Sequence, residues 1–301
     1  MKVLVLGAAG FIGRNMVSAL KRANIDLVAS DIVRSPFNKE VDYMILDITD
    51  REAIFRAVKK VNHVFYLSTH PLSASIKDPL TNAKVNIIGG LNVLDAAKEH
   101  NIECVIFSSA SSVVGEVLYN PVDEEHPCKP KTPYAITKLC IEHYLRVYHE
   151  LYGLNYLIFR LFNVYGPYQY PESGALIPNV IVNIAKDRKI TVFGDGSIAR
   201  DYTYVDDVTR FYIKSILRGV KNETVNLGTG KLTTIREVIN LASKMLKKEA
   251  KIEYMPPRPG EVMNFSADTK KLKKLFGEAP SITLEEGLRK TYEWLRSEGI
   301  V

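Results

Sequence analysis

Cysteine is scarce in this sequence. Three cysteines, Cys104, Cys128 and Cys140, are scattered over the 301 residues, and no pair of them has C-x-x-C spacing. This pattern argues against a disulfide framework and a cysteine-based zinc site, and it is typical of reduced thiols in a cytoplasmic protein. We therefore expect no structural disulfide and no metal.

Long apolar runs are also absent, and the net charge is modest. No stretch approaches the roughly 20 apolar residues of a membrane-spanning helix, and the first residues already have the pattern of a strand, which leaves no room for a signal peptide. The net charge of +6 is spread along the chain, apart from lysine runs at 270–271 and 273–274. Such runs are typical of solvated helix faces, so we expect neither a membrane nor a nucleic-acid partner, although anionic substrates would benefit from the positive balance.

The order of segments predicts an α/β fold. Strand-like and helix-like patterns alternate up to Asn163, as in a doubly wound parallel sheet of the Rossmann type. Beyond that point prolines and loops are more frequent, and residues 206–217 have the pattern of a helix that returns to the first domain. We expect a Rossmann domain at 1–165, to which 198–221 returns, and a smaller interleaved C-terminal domain at 166–197 and 222–301.

A glycine-rich turn lies at the start of the chain. An apolar run at 3–6 is followed by three glycines at G-x-x-G-x-x-G spacing, Gly7, Gly10 and Gly13, and apolar residues then recur at helical spacing. A strand, a turn and a helix in this order direct backbone N–H groups and the positive helix end to one point, where a pyrophosphate can bind. Glycine permits the close approach of backbone to phosphate. An accidental glycine-rich turn is the alternative, but both flanking elements favour a dinucleotide site.

The predicted second and third strands both end at acidic residues. Asp31 follows the second strand, at the distance from the glycine turn where a carboxylate accepts hydrogen bonds from the adenosine ribose. It would repel a 2′-phosphate, so NAD is favoured over NADP, although Arg34 could accommodate that phosphate. The alternative role of Asp31 is to cap a turn. Asp47 and Ile48 follow the third strand and could bracket an adenine, with the carboxylate at its amino group and the isoleucine against its ring.

Polar residues follow the next two strands as well. The predicted fourth strand, residues 63–67, ends shortly before His70, at the sheet edge where ligands bind. His70 is a candidate for proton transfer, but no partner is visible nearby and a loop histidine is favoured. The predicted fifth strand, residues 104–107, continues into Ser108–Ser112, whose hydroxyls could lie beside a nicotinamide.

Between these two strands the pattern predicts a long helix over 82–100. Its apolar face includes Ile88, whereas Asn92 falls on the opposite, polar face. Gly89 and Gly90 lie in its middle and lower its intrinsic stability. Glycines at such positions indicate close packing against a cofactor or another helix.

Tyr134 and Lys138 form a Y-x-x-x-K pair after the serine-rich strand end. This spacing places both side chains on one helix face, one turn apart. A tyrosine with its ordinary pKa near 10 is a poor base, but an adjacent ammonium and a cationic nicotinamide should lower that pKa. The pair would then act as a base near neutrality. The motif alone is frequent on ordinary helix surfaces, and its place after a dinucleotide fingerprint makes it more specific.

Together these motifs resemble the extended short-chain dehydrogenases/reductases, and the resemblance covers nearly the whole chain. Within that family the sequence is similar to the NAD-dependent epimerase/dehydratase branch, which acts on nucleotide-diphosphate sugars, and most of all to the UDP-glucose 4-epimerases. The motifs of the second half that carry the resemblance are RLFNVYGP at 160–167, FGDG at 193–196, RDY at 200–202, YVDD at 204–207, NLG at 226–228 and RPGE at 258–261.

The resemblance implies a set of NAD-binding residues and a set of substrate-binding residues. The cofactor set is Gly7, Gly10, Phe11, Ile12, Gly13, Asp31, Asp47, Ile48, Leu67, Asn86, Ser109, Tyr134, Lys138 and Phe162. The substrate set, in the C-terminal domain, is Asn163, Ala175, Leu176, Val192, Phe193, Arg200, Tyr202, Arg258 and Glu261. Arginine suits a diphosphate because its planar fork binds two oxygens at once, although either arginine alone could be a surface ion pair.

The implied activity is a 4-epimerisation of the UDP-glucose/UDP-galactose type, through transient oxidation at C4. Tyr134 would act as the base, Lys138 would hold the nicotinamide ribose, and NAD would be tightly bound and regenerated. The resemblance also implies a homodimer formed through the helices at 82–100 and 133–152. Alternatives are a 4,6-dehydratase, a decarboxylase or a 4-keto reductase of nucleotide sugars, or a non-catalytic dinucleotide-binding regulator.

One stretch departs from the family pattern. Ala110 occupies the position of the catalytic Ser or Thr, and Val114 that of a tyrosine. Either Ser111 supplies the catalytic hydroxyl through a small shift of the strand end, or the hydrogen bond to the sugar 4-oxygen is missing. A 4,6-dehydratase would carry Asp-Glu at the positions of Ser111 and Ser112, whose hydroxyls lack acid/base capacity near neutral pH, and this favours the epimerase.

Overall fold

The structure, a computed structural model, describes residues 1–35, 40–256 and 264–301. The strands of these residues are β1 (Lys2–Leu6), β2 (Asp26–Asp31), β3 (Asp42–Ile45), β4 (His63–Tyr66), β5 (Cys104–Ala110), β6 (Tyr156–Leu161), β7 (Val164–Tyr165), β8 (Lys189–Phe193), β9 (Ala199–Arg200), β10 (Thr203–Tyr204), β11 (Glu223–Leu227), β12 (Thr233–Thr234) and β13 (Lys251–Met255). The α-helices are α1 (Phe11–Arg22), α2 (Arg51–Val58), α3 (Leu72–Lys77), α4 (Pro79–Ala83), α5 (Gly89–Glu99), α6 (Pro133–Tyr152), α7 (Leu176–Ala185), α8 (Val205–Arg218), α9 (Ile235–Leu246), α10 (Lys270–Phe276) and α11 (Leu284–Ser297).

The chain divides into two compact units. Unit 1 consists of Met1–Glu116, Glu124–Leu161 and Thr209–Asn226, and unit 2 of Val117–Asp123, Phe162–Val208 and Leu227–Val301. The segment that returns to unit 1 is thus 209–226 instead of the expected 198–221, because β11 adds an edge strand to the sheet of unit 1. That unit 1 binds NAD and unit 2 the nucleotide sugar stays a prediction at this point.

Unit 1 is built on a seven-stranded sheet in the order β11-β6-β5-β4-β1-β2-β3. The pairs from β6 to β3 are all parallel. The strand order reverses at β1, and the crevice beyond the carboxyl ends of β1 and β4 is the place where ligands bind in such sheets. The predicted doubly wound Rossmann-type sheet is confirmed.

Both faces of this sheet are covered, because apolar residues fill both faces of its strands. On one face, residues such as Leu4 and Phe107 form a buried cluster with residues of α2, α5 and α6. On the other face, Tyr212 of α8 packs against Phe65 of β4 and Phe159 of β6. Successive strand residues point to opposite faces, and this alternation decides below where the serines of β5 point.

The predicted long helix over 82–100 is interrupted. A π-helical turn at Lys84–Ile88 separates α4 from α5, and its extra residue rotates the helix face that follows. Ile88, predicted on the buried face, is 52% exposed, whereas Asn92, predicted on the polar face, is buried and donates to the Ile48 carbonyl oxygen at 3.0 Å. The prediction of these two positions was therefore wrong.

Gly89 and Gly90 pack closely, as predicted. A Cβ atom on Gly89 would lie 2.6 Å from Cγ1 of Ile48, and one on Gly90 would lie 2.5 Å from Cδ1 of Ile141 on α6. The two glycines thus allow α5 to approach both the end of β3 and the helix that carries the Y-x-x-x-K motif.

Unit 2 contains three two-stranded sheets, β10-β7, β12-β9 and β13-β8. Its core is formed largely by α7, α9 and α11 and includes Val180, Val238 and Leu295. Residues 117–123 belong to this unit through a bridge between Val122 and Ala267. No helix in the described parts of either unit is long and apolar enough to cross a membrane.

Candidate active site

The glycine turn of unit 1 has the geometry of a phosphate cradle. Gly7 has φ +87°, which favours glycine, and a Cβ atom there would lie 2.7 Å from the Ser68 backbone nitrogen. A Cβ on Gly13 would overlap the carbonyl oxygen of Gly7. The helix α1 begins immediately after Gly10, without a side-chain cap and without an acidic residue in its first turn. Its first N–H groups, including those of Phe11 and Ile12, have no acceptor inside the helix, so the cradle fits a pyrophosphate.

Asp31 connects the glycine turn to the end of β2. Its Oδ2 accepts from the Ala9 N–H at 2.9 Å, and its Oδ1 accepts from the Ile32 N–H at 2.8 Å. Each carboxylate oxygen can accept a further hydrogen bond, so the turn-capping role and the predicted ribose contact are compatible. The Arg34 guanidinium lies over the Tyr43 ring, 5.7 Å from its centroid, so a 2′-phosphate is not needed to account for this arginine.

The two residues expected around the adenine, Asp47 and Ile48, differ in their exposure. Asp47 is exposed, and its Oδ1 accepts from the Thr49 N–H at 2.8 Å. Ile48 is only 5% exposed and packs in the core against Gly89. Its side chain therefore serves the core, and a contact with adenine is left to its backbone. Leu67 follows β4, and its N–H donates to the Leu6 carbonyl at 3.0 Å.

Asn86, predicted to contact the cofactor, has its side-chain amide engaged within the protein. It lies in the π-helical turn and is 3% exposed. Its Oδ1 accepts from the His70 N–H at 2.7 Å, and its Nδ2 donates to Oγ1 of Thr137 at 2.9 Å. Asn86 thus ties the loop after β4, where His70 is found as predicted, to α6.

Tyr134 and Lys138 lie in the first two turns of α6. Thr132 caps this helix by accepting from the Ala135 N–H at 3.2 Å. Lys138 is 3% exposed. Its ammonium donates to the Ser108 carbonyl oxygen at 2.8 Å and lies 5.6 Å from the centroid of the Tyr134 ring. The strand end and the motif that were predicted separately are therefore joined by a direct hydrogen bond.

The electrostatics of this pair differ from the sequence-based expectation. Burial raises the pKa of Tyr134 to about 12 and lowers the pKa of Lys138 to about 7. The expected lowering of the Tyr134 pKa by Lys138 is absent, because loss of hydration dominates and the ammonium is bonded to a carbonyl instead of the phenol. The residues of the chain alone do not make Tyr134 a base near neutrality.

Ser109, predicted to contact the cofactor, is also committed elsewhere. Its hydroxyl donates to Oε1 of Glu142 on α6 at 2.5 Å. Glu142 is fully buried and pairs with Arg160 at 2.8 Å and with Arg146 at 3.0 Å. Burial alone would raise the pKa of Glu142, but the two guanidinium groups and Ser109 lower it overall. The hydroxyl of Ser109 thus fixes the strand end, and its predicted contact with the cofactor stays a prediction.

Two serines follow Ala110 in a short turn. Ala110 ends β5, and Ser111 begins a short 3₁₀ turn that extends to Val113. The Ser111 hydroxyl forms no hydrogen bond with the residues that the structure describes and is not enclosed. The Ser112 hydroxyl is enclosed and has no partner among those residues either. Ser111, although only 8% exposed as a residue, is thus the serine of this turn whose hydroxyl keeps some contact with solvent.

Unit 2 contains a cavity of about 430 Å³. Six of the predicted substrate residues line it, namely Asn163, Leu176, Val192, Phe193, Arg200 and Tyr202. Ala175 precedes α7 without lining the cavity, and its carbonyl accepts from Asn179 at 2.8 Å. The predicted Arg258 and Glu261 lie outside the described residues. Phe162, predicted to contact the cofactor, is fully buried against Phe265, so only its backbone is left for such a contact.

Asp201 fixes the strand segment that carries Arg200 and Tyr202. Its carboxylate is fully buried and accepts from the backbone N–H groups of Thr229 and Gly230, each at 2.8 Å. Burial raises its pKa, and these hydrogen bonds oppose the shift.

The sequence analysis missed Asn179, Asn183, Lys189 and Thr191, which also line the cavity. The alternation of polar and apolar residues over 189–192 and the amphipathic pattern of α7 are the signals that could have identified them.

The chain is similar to known proteins over nearly its whole length. Residues 3–228 match the NAD dependent epimerase/dehydratase family. A putative UDP-glucose 4-epimerase of Methanocaldococcus jannaschii is 33% identical over 305 residues and 98% of each chain. A dTDP-glucose 4,6-dehydratase of Streptomyces niveus is 29% identical over 318 residues, covering 98% of this chain and 93% of that protein. The crystal structure of a UDP-glucose 4-epimerase with UDP-glucose from Thermotoga maritima superimposes with a TM-score of 0.93 at 33% identity, covering 99% of each chain.

Proposed function

Because the chain belongs to the NAD dependent epimerase/dehydratase family, we propose that it is a nucleotide-sugar 4-epimerase of the UDP-glucose/UDP-galactose type. The predicted membership in the extended short-chain dehydrogenases/reductases and the predicted NAD cofactor are confirmed at the level of the family. The particular reaction and the particular sugar are proposals, since relatives with about 30% identity include both epimerases and dehydratases.

The residues of unit 1 fit NAD. The glycine cradle and the N-terminus of α1 would hold the pyrophosphate, Asp31 the adenosine ribose, and Lys138 the nicotinamide ribose. NAD, when bound, supplies a reversible hydride acceptor for C4 of the sugar. A bound, positively charged nicotinamide would favour the phenolate of Tyr134 and so would oppose the rise of its pKa to about 12 that burial causes.

The removal and return of the proton at the sugar 4-oxygen are carried out by residues of the chain itself. In the proposal, Tyr134 takes the proton from the 4-hydroxyl and returns it after the configuration at C4 has inverted. Ser111 donates a hydrogen bond to the same oxygen. It replaces the Ser or Thr that the family pattern has at the position of Ala110. Inversion requires the hexose to turn, so most of the binding energy must come from the nucleotide and diphosphate. The cavity of unit 2, with Arg200 at its wall, supports a diphosphate-bearing ligand.

The observation that carries the choice of an epimerase is the absence of an acid at the end of β5. A 4,6-dehydratase that resembles this chain would carry Asp and Glu at the two positions that Ser111 and Ser112 occupy here. The hydroxyls of these serines cannot exchange protons at C5 and C6 near neutral pH. The removal and the return of one proton at the 4-oxygen, which a 4-epimerase needs, can both be made by Tyr134.

The test is to incubate the purified protein with a panel of UDP-, dTDP- and GDP-hexoses and to separate the products. An epimerase gives a 4-epimer of unchanged mass and no net change in NADH absorbance. A product lighter than the substrate by one water would establish the dehydratase, and consumption of added NAD(P)H would establish the reductase. NAD binding without conversion of any sugar would favour the regulator. Tyr134→Phe is the matched variant, since it removes only the reacting oxygen.

We also propose that the protein is a homodimer that works in the cytoplasm. Apolar side chains line one side of α6, where Ile136 is 53%, Val147 43% and Leu151 66% exposed, and Ile88 of the π-helical turn is 52% exposed. Positions 136, 147 and 151 recur at helical spacing, so a second copy of this chain, contributing the same helix, could bury them by isologous contact. The free thiols of Cys104, Cys128 and Cys140 support a reducing compartment.

A further inference from the structure

The strand end that binds Lys138 is fixed from both faces of the sheet. Ser108 and Ser109 are consecutive residues of β5, so their side chains point to opposite faces. Ser109 bonds Glu142 of α6 on one face, as described above, and Ser108 bonds Tyr212 of α8 on the other, with Oγ and the phenol oxygen 2.5 Å apart. Neither the family motifs nor the predicted site included Tyr212.

Tyr212 is held rigidly. It is fully buried, its ring lies 5.4 Å from the centroid of Phe65 on β4 and 4.8 Å from that of Phe159 on β6, and β5 runs between these two strands. Phe159 is the register partner of Ser108. The phenol therefore reaches the middle strand at Ser108 from a position that two neighbouring strands determine.

Ser108 connects Tyr212 to Lys138. The pairing of β4 with β5 ends at the pair Tyr66 and Phe107, so Ser108 has no residue of β4 opposite it. Its carbonyl oxygen accepts instead from the Lys138 ammonium, whose Nζ also lies 4.8 Å from the Phe107 ring centroid. Within the described part of the chain this is the hydrogen bond that the ammonium makes.

We propose that Tyr212 is a positioning residue for the reaction, which holds the Lys138 ammonium in register with Tyr134 by fixing Ser108. The contact chain runs from the Tyr212 hydroxyl through Ser108 Oγ and the Ser108 backbone carbonyl to Lys138 Nζ. Burial raises the pKa of Tyr212, so its phenol keeps its proton at working pH and stays a hydrogen-bonding partner. The catalytic consequence rests on the proposed function; the effect on Lys138 and on NAD does not.

The test compares Tyr212→Phe, Ser108→Ala and the double variant in the NAD-bound protein. Loss of one buried hydrogen bond that is coupled to the ammonium should lower kcat about tenfold and speed NAD dissociation, with little change in KM for the nucleotide sugar. Because the two residues act on Lys138 in series, the double variant should lie within about twofold of either single variant. Ser108→Thr keeps the hydroxyl and should restore both readouts.

Tyr148→Phe is the matched control. Tyr148 is a second tyrosine whose hydroxyl bonds a side chain, Oδ1 of Asp95 at 2.8 Å, and it lies on α6 itself, away from Ser108. Its loss should lower the melting temperature without changing kcat or NAD dissociation, which separates positioning from stability.

Two results would overturn the inference. One is a Tyr212→Phe protein whose kcat and NAD dissociation stay within about twofold of the parent. The other is a double variant whose losses multiply, which would make the two residues independent. If the parent converts no sugar, the proposed function fails, while NAD dissociation still decides the role of Tyr212. If Tyr212→Phe does not fold, Ser108→Ala and its threonine rescue carry the same decision.

Discussion

The burial of Lys138 predicts how the stability of the protein changes with pH, whatever the substrate is. Its ammonium is 3% exposed, and burial lowers its pKa from the ordinary value of 10.5 to about 7. Below about pH 7 the folded protein bears the full cost of a buried charge. Between about pH 7 and 10.5 the unfolded chain binds more protons than the folded one, so stability rises with pH in this window. Above it the lysine is neutral in both states.

Lys138→Met should therefore stabilise the protein at low pH and lose this advantage at high pH. The interval from 10.5 to about 7 corresponds to about 5 kcal/mol, since each pH unit is worth about 1.4 kcal/mol. Methionine fills a similar space, but it leaves the Ser108 carbonyl without its donor, at a cost of about 1–3 kcal/mol. The net gain at about pH 6 is then about 2–4 kcal/mol, and at about pH 10.5 the variant should be the less stable protein.

The assay is denaturant unfolding of nucleotide-free protein at about pH 6, 8 and 10.5. Lys60→Met is the control, because Lys60 is exposed and its replacement should give the same difference from the parent at every pH. Free energies of unfolding for Lys138→Met and the parent that run parallel over this range would refute the argument. They would mean that Lys138 keeps an ordinary pKa, and that water or flexibility relieves the burial.

Three further predictions concern the site and the assembly. Ser111→Ala should lower kcat for epimerisation about 100-fold, while Ser112→Ala should not; equal effects in steady-state kinetics would remove Ser111 from the mechanism. Gly13→Ala should abolish retention of NAD through gel filtration, because its Cβ would overlap the Gly7 carbonyl; an NAD-bound variant would show that the turn can move. Val147→Glu should give a monomer by light scattering, and an unchanged mass would place any dimer contact elsewhere.

The features that the sequence predicted well depend on local spacing. The glycine turn needs a strand, three glycines and a helix within 22 residues, and the Y-x-x-x-K pair needs a single helical turn. In both cases the side chains or backbone groups that act together are neighbours along the chain. Periodicity and glycine geometry are enough to place them.

The contacts that the sequence did not predict join distant residues. The hydroxyl of Ser109 is taken by Glu142, 33 residues later, and the amide of Asn86 by Thr137, 51 residues later. The side chain of Ile48 is taken by Gly89 through a close contact. No local pattern distinguishes a serine or an asparagine that faces a cofactor from one that fixes the scaffold beneath it.

The replacement at Ala110 is easier to understand from the position of the residues around it. On both faces of β5, a serine hydroxyl is already used to fix the strand end, Ser108 toward Tyr212 and Ser109 toward Glu142. Strand alternation stops after Ala110, where the 3₁₀ turn begins, so Ser111 is the first serine whose direction the sheet does not impose. If the turn rather than the strand presents the hydroxyl, its distance from Tyr134 depends on where β5 ends. Under the proposed function, the two serine contacts that fix this end would then help to set the distance between the Ser111 hydroxyl and Tyr134.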